Sequence, residues 1–473
     1  MCRSLAALGL VLWAATSAVA DHVDDYVRAV MAAKKIPGVS IAVVLDGEVV
    51  KAEGYGLANV ELDVPATTDT IYQSGSTAKQ FTAAGILLLA EEGELSLDDR
   101  LSKHFPDGPS AWHRITIREL LTHTSGLKDY EGQHDIDLRR DYSEPELLEV
   151  MMGLPIEFEP GTQWSYSNSG YVILGLLTSR LAGKHWSEFQ SERLFEPLGM
   201  ATARVISEKD IVKNRASGYV LDETGELKNQ DWVAPTLNRI ADGAIYYTVK
   251  DLVAWDAALR ERRLLSEESF EAWWTPVQLA SGASFPYGFG WRIVEQRGHP
   301  LLEHGGSWQG FRAAIARYVN QSLTVVVLAN LASAQPEAMA HAIAGLVEPS
   351  LALPDAGATL TDPDPGRADA LRGLLQAWAD SRVTPAMGKG LAETASGSTR
   401  EAYDRLRTGR RVAALTAFHF IGEDDLTARP LSRRGETVTR IAHYALETKG
   451  ARYAYRFYLT DDGRVADFDA EER

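Results

Sequence analysis

Cysteine is almost missing from this sequence: Cys2 is the one thiol among 473 residues. It lies in a leader expected to be removed, so disulfides, cysteine catalysis and thiolate metal sites are excluded from the mature chain. No apolar run is long enough to span a bilayer; Leu5–Ala15 falls short of the roughly 20 residues required. Positive charge is in deficit, with 48 Lys+Arg against 65 Asp+Glu and a net charge of −17. No basic run is segregated from this acidity, which argues against a nucleic-acid partner. There is no His-Glu-x-x-His, and the histidines show no ligand-like spacing, so no metal is expected. A Gly-x-Ser-x-Gly elbow is also lacking, since Gly38-Val39-Ser40-Ile41-Ala42 fails at its last position. No phosphate-cradling glycine loop occurs, and no cofactor is expected.

What is present has the composition of a folded soluble protein, with 45% hydrophobic and 24% charged residues, and is too long for one ordinary domain. Arg3, the apolar Leu5–Ala15 and the small-x-small Ala18-Val19-Ala20 read as a signal peptide over residues 1–20, cleaved before Asp21. An uncleaved anchor is the alternative, disfavoured by the Ala-Val-Ala site, and Cys2 lies too early to be a lipidation site. The mature chain is therefore expected to be exported, periplasmic or secreted, with no integral span. Three prolines and two glycines between Leu353 and Gly366 mark a linker. It divides a domain at 21–352 from one at 367–473. The latter carries 18 Lys+Arg against 16 Asp+Glu, so nearly all the negative charge precedes it.

The first domain reads as α+β. Val39–Leu45 and Glu48–Glu53 are strands joined at Asp46-Gly47, a strong hairpin signal. Phe311–Val319 and Leu323–Leu328 are two more strands, the second apolar on both faces. Helical patterns fill the middle, at Ala78–Glu92, Tyr171–Leu181 and Lys250–Arg260. The expectation is an antiparallel sheet assembled from both ends of the domain, with helices packed on it and an all-helical subdomain. The tail reads as a small α+β domain. Its helices are Arg367–Trp378 and, near Arg400–Arg407, a second helix or turn; its strands are Val412–Phe420, Val438–Glu447, Ala451–Thr460 and Arg464–Phe468. Tyr453, Tyr455, Phe457 and Leu459 alternate onto one face opposite Arg452 and Arg456, as in a half-buried sheet.

The segment richest in chemistry is Ser74-Gly75-Ser76-Thr77-Ala78-Lys79 followed by an apolar helix. Ser76 and Lys79 stand at i and i+3 and share one helix face. A lysine in the first turn of a buried helix needs an acceptor or must give up charge. Holding it neutral at pH 7 costs about 4 kcal/mol, which makes sense where the amine takes a proton from the serine. The helix N-terminus favours charge developing on an oxyanion. Ser-x-x-Lys recurs at Ser125–Lys128, but Gly126 breaks that copy and no apolar helix follows, so it reads as a loop. Tyr166-Ser167-Asn168 lies at a helix entrance, where a phenol and an amide can face one cleft. His304-Gly305-Gly306-Ser307 precedes the strand from Phe311, its glycines letting a ligand approach the backbone closely. In isolation, Ser76 reads equally as an N-cap, Lys79 as a surface lysine and the glycine pair as a turn. Trp308 has equal claims as cleft wall and as core, and His123 reads as structural.

Together, and in this order, Ser76-Thr77-Ala78-Lys79, Tyr166-Ser167-Asn168 and His304-Gly305-Gly306 resemble the three motifs of the serine β-lactamase and penicillin-binding protein superfamily. The Tyr-x-Asn form is similar to the branch holding class C β-lactamases, DD-peptidases, D-aminopeptidases and family VIII esterases. Ile117–Leu127 and Tyr287-Gly288-Phe289-Gly290-Trp291 share the look, and the likeness covers about residues 25 to 345. The resemblance implies Ser76 as acylating nucleophile, Lys79 hydrogen-bonded to it, and Tyr166 as base sharing the proton with Lys79. It further implies Asn168 holding a substrate amide, and an oxyanion hole from the N–H groups of Ser76 and Ser307. Many family members carry Lys-Thr-Gly at the third motif, where the lysine binds a substrate carboxylate. His304 stands there instead, which shifts the expectation from a β-lactamase toward a peptidase, amidase or esterase. The substrate is then a peptide or small molecule: an ester, an amide, a D-amino-acid peptide or a β-lactam. A β-lactamase, a DD-carboxypeptidase, and a non-catalytic binding or cell-wall-associated protein on the same fold are the alternatives.

Overall fold

The computed structural model describes residues 21–130, 136–205, 209–296, 298–352, 360–395, 402–427 and 430–472. The signal peptide read at 1–20 lies outside them, as do residues 353–359 of the expected linker. The chain forms two compact units. One comprises the sequence up to Thr275 with Tyr287–Glu295 and His299–Ala352. The other comprises the sequence from Leu353 with two excursions, Pro276–Pro286 and Gln296–Gly298.

In the first unit Asp46, at φ +51°, and Gly47, at +91°, turn β1 (Gly38–Leu45) into β2 (Glu48–Asn59). These are joined by β3 (Val64–Pro65), β4 (Arg292–Gln296), β5 (His299–Trp308), β6 (Phe311–Tyr318) and β7 (Leu323–Ala329). The strand order is β4-β5-β6-β7-β1-β2-β3, so the two ends of the domain meet at the centre of one sheet. The β1–β7 pairing is antiparallel from Val39↔Ala329 to Leu45↔Leu323. Every residue of β7 is buried: Val326 and Leu328 join one core, Val325 and Val327 the other. Two-sided burial of this kind explains its unbroken β-branched run. Helix α1 (Lys79–Glu91), α2 (Asn168–Ala182) and α3 (Val249–Arg260) contribute to the larger core. Helix α4 (Pro336–Val347) covers the other face. Among the described residues between 79 and 218 there are helices and no strands, matching the helical subdomain.

The sequence reading missed β4 and β5. The third motif lies within β5 rather than ahead of the strand from Phe311, and Gly305 and Gly306 pair with Ala314 and Ala313. A glycine pair carries no β signal of its own, and its place in the sheet comes from its neighbours.

The second unit holds α5 (Arg367–Ala379), α6 (Ala402–Ala413) and a four-stranded antiparallel sheet. Its strands, in spatial order, are β8 (Leu415–Asp425), β9 (Arg440–Thr448), β10 (Arg452–Leu459) and β11 (Val465–Glu472). Val412, expected in a strand, is still helical, because the basic stretch ahead of it carries α6 two residues further. The alternation on β10 is less strict than expected. Tyr455, Phe457 and Leu459 enter the main core of this unit, yet Tyr458 on the opposite face is buried beside Val438 and Ile441. Residues 360–366 are tied into this unit: Leu360 N–H donates to Phe420 O at 3.1 Å, and Asp362 accepts from Arg367 and Tyr444.

Candidate active site

The peptide from Gly75 to Ala78 makes a 3₁₀ turn that runs into α1. Residues at i and i+3 eclipse in such a turn, which brings Ser76 under Lys79 more directly than an α-helix would. Lys79 is fully buried. Its Nζ donates to Ser76 Oγ at 3.1 Å, Asn168 Oδ1 at 2.7 Å and the Asp242 carbonyl at 2.8 Å. Three acceptors match the three hydrogens of an ammonium, so the lysine is accommodated as a cation beside the half-buried Ser76. The nitrogen also sits 5.0 Å from the Tyr166 ring centroid.

Asn168 opens α2, where Ser167 caps the helix by accepting from Gly170 N–H. The cap fixes the amide's direction: Oδ1 meets Lys79, and Nδ2 donates to Asp129 at 3.3 Å. Tyr166, one residue before the cap, stands close enough to Ser76 and Lys79 for both to act on its phenol electrostatically. Burial raises its pKa above the ordinary phenol value, and the Lys79 charge opposes that rise. His123 packs under it with ring centroids 4.2 Å apart and accepts from Ser167 N–H at 3.1 Å. The histidine read as structural thus props Tyr166. The Ser125–Lys128 copy lies in a loop, which leads to Asp129 and Tyr130.

Strand β5 runs directly against the Ser76 turn. A Cβ on Gly306 would lie 1.9 Å from Ser74 O and 3.2 Å from Ser76 N; one on Gly75 would lie 2.3 Å from Ser307 N. Only glycine permits this approach, which sets the backbone N–H groups of Ser76 and Ser307 side by side. His304 lies on the same face of β5 as Gly306, its ring 6.3 Å from that of Tyr166. Its Nδ1 lies 2.6 Å from Gly305 O and its Nε2 2.9 Å from Tyr287 Oη. A carbonyl can only accept, so Nδ1 carries the proton and Nε2 accepts from the tyrosine. Burial first, and repulsion from Lys79 second, push its pKa down to about 3.

A neutral buried histidine makes stability depend on pH. The unfolded chain binds a proton here near pH 6.5 and the folded chain only near 3, so stability is present above 6.5 and drains as pH falls between those values. The expected loss from this residue is about 2 kcal/mol between pH 7 and pH 5. Urea unfolding at both pH values checks it: His304→Gln, which does not titrate, should show a pH dependence smaller by that amount.

The cleft is lined by Gly75, Ser76, Tyr130, Asn168, Leu237, Ile240, Asp242, Gly243, Ser307 and Trp308. Ser76, Asn168 and Ser307 therefore share it, and Lys79 is bonded to the first two; His304 and Gly306 lie on the face of β5 turned to the Ser76 turn, and Gly305 on the other, against Glu337. Trp308 is a wall of the cleft and donates through Nε1 to Asn238 Oδ1 at 2.9 Å. Tyr130 and Asp242 escaped the sequence reading. The available signal was Asp242 itself, a lone acid inside Ile240-Ala241-Asp242-Gly243-Ala244-Ile245. Among the described residues no group of three or more His, Cys, Asp or Glu side chains could hold a metal, and no helix is long and apolar enough to cross a membrane.

Similar proteins identify the family. The family described as Beta-lactamase matches residues 23–348. Penicillin-binding protein 4* of Bacillus subtilis (strain 168) is 32% identical over 305 residues, 60% of this chain and 66% of that one. A D-aminopeptidase of Gluconobacter oxydans (strain 621H) is 29% identical over 318 residues, 65% of this chain and 58% of that one. The chain thus spans under two thirds of these relatives' lengths. Among solved structures, the octameric penicillin-binding protein homologue from Pyrococcus abyssi superposes with a TM-score of 0.62 at 25% identity, over 95% of this chain and 97% of that one. By the extent of the family match and the arrangement of its fold, the chain belongs to the beta-lactamase family.

Proposed function

We propose that this chain is an exported serine hydrolase that cleaves an amide or ester through an acyl-enzyme on Ser76. The observation that carries the reading is the fully buried Lys79, bonded to Ser76 Oγ, Asn168 and the Asp242 carbonyl beside the paired N–H groups of Ser76 and Ser307. Lys79 and Tyr166 together act as the base. The three acceptors around Nζ and the raised Tyr166 pKa make the fully protonated pair the resting form, so the reactive form is the one that has released one proton to solvent; it takes the proton of Ser76 as Oγ bonds to the carbonyl carbon. The oxygen of that carbonyl becomes an anion held by the two N–H groups, preorganised before the reaction begins. Collapse breaks the bond to the leaving group, which receives the proton from the pair. Water then repeats the sequence, with its oxygen as nucleophile and Ser76 as leaving group, and regenerates the enzyme.

Within this reaction class we favour a peptidase or amidase over a β-lactamase. His304 is neutral, and both its nitrogens are engaged, so the third motif offers no cation for a substrate carboxylate. The D-aminopeptidase relative supports the same choice. Export rests on the Leu5–Ala15 run and the Ala18-Val19-Ala20 site, and is in keeping with the relative named as a penicillin-binding protein.

Intact-mass spectrometry tests both parts. Protein recovered from the periplasm or medium should begin at Asp21. Incubated with a p-nitrophenyl ester, a D-alanyl amide and a penicillin, it should turn over the first two through an adduct absent from Ser76→Ala. A stable penicilloyl adduct with no turnover of ester or amide would favour a penicillin-binding protein, and no reaction at all would favour the binding-module alternative.

A further inference from the structure

Next to the catalytic cleft lies a second, larger cavity that acyl transfer does not use. It measures about 180 Å³ and sits in the first unit, between the helix Glu144–Gly153, α2 and the stretch from Thr236 to Ala241. Of the residues lining the two spaces, Ile240 alone is common to both. Leu147, Val172, Leu176 and Trp186 make much of the lining apolar. An apolar cavity of about 150 Å³ accepts a benzene ring, so this one has room for a phenyl or branched aliphatic side chain.

Three polar residues line the same cavity with bonding capacity to spare: Glu144, His185 and Arg239. Glu144 accepts from Ser179 Oγ at 2.7 Å through Oε1, while Oε2 has no partner among the described residues. His185 Nδ1 accepts from Ser187 N–H at 3.3 Å, so the ring proton is on Nε2. That Nε2 stands 3.7 Å from Glu144 Oε1, beyond hydrogen-bond reach. Burial lowers the pKa of His185 against the pull of Glu144, which keeps the ring neutral and Nε2–H a donor. Arg239 is near enough for its charge to act on His185, and its guanidinium has no partner among the described residues. Its backbone is fixed, because Trp186 Nε1 donates to Arg239 O at 2.9 Å.

The unspent capacity is one carboxylate oxygen and two N–H donors beside an apolar recess. A simple amine leaves the donors unmet, and a simple acid leaves Glu144 unmet and repelled. We propose that this cavity is a binding site, separate from the Ser76 cleft, for a free zwitterionic α-amino acid with a large apolar side chain. Glu144 receives its ammonium, His185 and Arg239 its carboxylate, and the recess its side chain. The site adjoins the backbone that holds Lys79. The Ala241 carbonyl accepts from Thr82 at 2.7 Å, and the next carbonyl, of Asp242, accepts from Lys79 at 2.8 Å. A Cβ on Gly175 would lie 2.3 Å from Ala241 Cβ, so α2 already backs this stretch, and a ligand on Ile240 and Ala241 steadies it further. Neither Glu144 nor Arg239 lines the cleft, so binding here and acyl transfer at Ser76 stand or fall separately.

Isothermal titration calorimetry tests the site with phenylalanine, as each enantiomer. Three fragments serve as comparisons: 3-phenylpropionate lacks the ammonium, phenethylamine the carboxylate and glycine the side chain. At least one enantiomer of phenylalanine should bind saturably below about 10 mM, and each fragment about 10-fold or more weaker. Glu144→Gln and Arg239→Gln should each weaken phenylalanine by about 10-fold or more, with circular dichroism confirming the fold of both. No saturable binding of either enantiomer in that range would overturn the proposal, as would a fragment that binds as tightly as phenylalanine; both are read on wild type alone. An affinity unchanged in either variant would also overturn it, by placing the amino acid elsewhere, in the Ser76 cleft or on the surface.

Discussion

Replacing Ser76 by Ala should abolish turnover of every substrate, by about 10⁴-fold or more, while leaving the protein at least as stable as before. The nucleophilic oxygen is lost, but Lys79 keeps Asn168 and the Asp242 carbonyl as acceptors, so no buried group is stranded without compensation. Lys79→Met separates the two consequences. Methionine fills the same volume without donors and strands the Asn168 amide oxygen and the Asp242 carbonyl, each at about 1–3 kcal/mol. That variant should be as inactive as Ser76→Ala and clearly less stable. Progress curves with a p-nitrophenyl ester and urea melts of both variants provide the check. An active Ser76→Ala protein would end the acyl-enzyme proposal; a Lys79→Met protein as stable as wild type would mean that the three hydrogen bonds contribute little.

The second large effect is expected at Gly306. An added Cβ would meet Ser74 O at 1.9 Å, and a backbone carbonyl in a buried turn cannot give way cheaply. Gly306→Ala must push β5 off the turn and separate the N–H groups of Ser76 and Ser307. Losing one such donor costs about 10²–10³ in kcat. At Gly305 the obstacle is the Glu337 carboxylate, the movable end of a side chain, so Gly305→Ala should be the milder change. Acylation rates of the two variants, with circular dichroism to confirm folding, decide the matter. A fully active Gly306→Ala protein would remove the oxyanion hole from this position.

The residues that were legible from sequence are those whose local chemistry agrees with their tertiary role. Asp46-Gly47 adopts positive φ at both positions, as its dipeptide demands, and the run through Val325-Val326-Val327 is apolar because both its faces are covered. The motif residues were legible by order along the chain, and the fold gathers Ser76, Lys79, Tyr166 and Asn168 at one place. What stayed hidden depends on contacts distant in sequence. β5 is a strand because β6 pairs with it, despite two glycines; Tyr458 is buried by Val438 and Ile441, although alternation assigns it to the open face. The place of Asp242 in the cleft is visible only once Tyr130, 112 positions away, meets its carboxylate.

The seam between β1 and β7 has a consequence for biogenesis. Val39 waits for Ala329, and the central pair of the sheet cannot zip until nearly the whole domain has left the ribosome. Until then β1 and β2 are a hairpin with an unpaired apolar edge, too small to be stable alone. A half-made chain therefore stays open, and exposed to aggregation or to a holding chaperone. The topology thus defers the assembled cleft until the sheet's last strands are available.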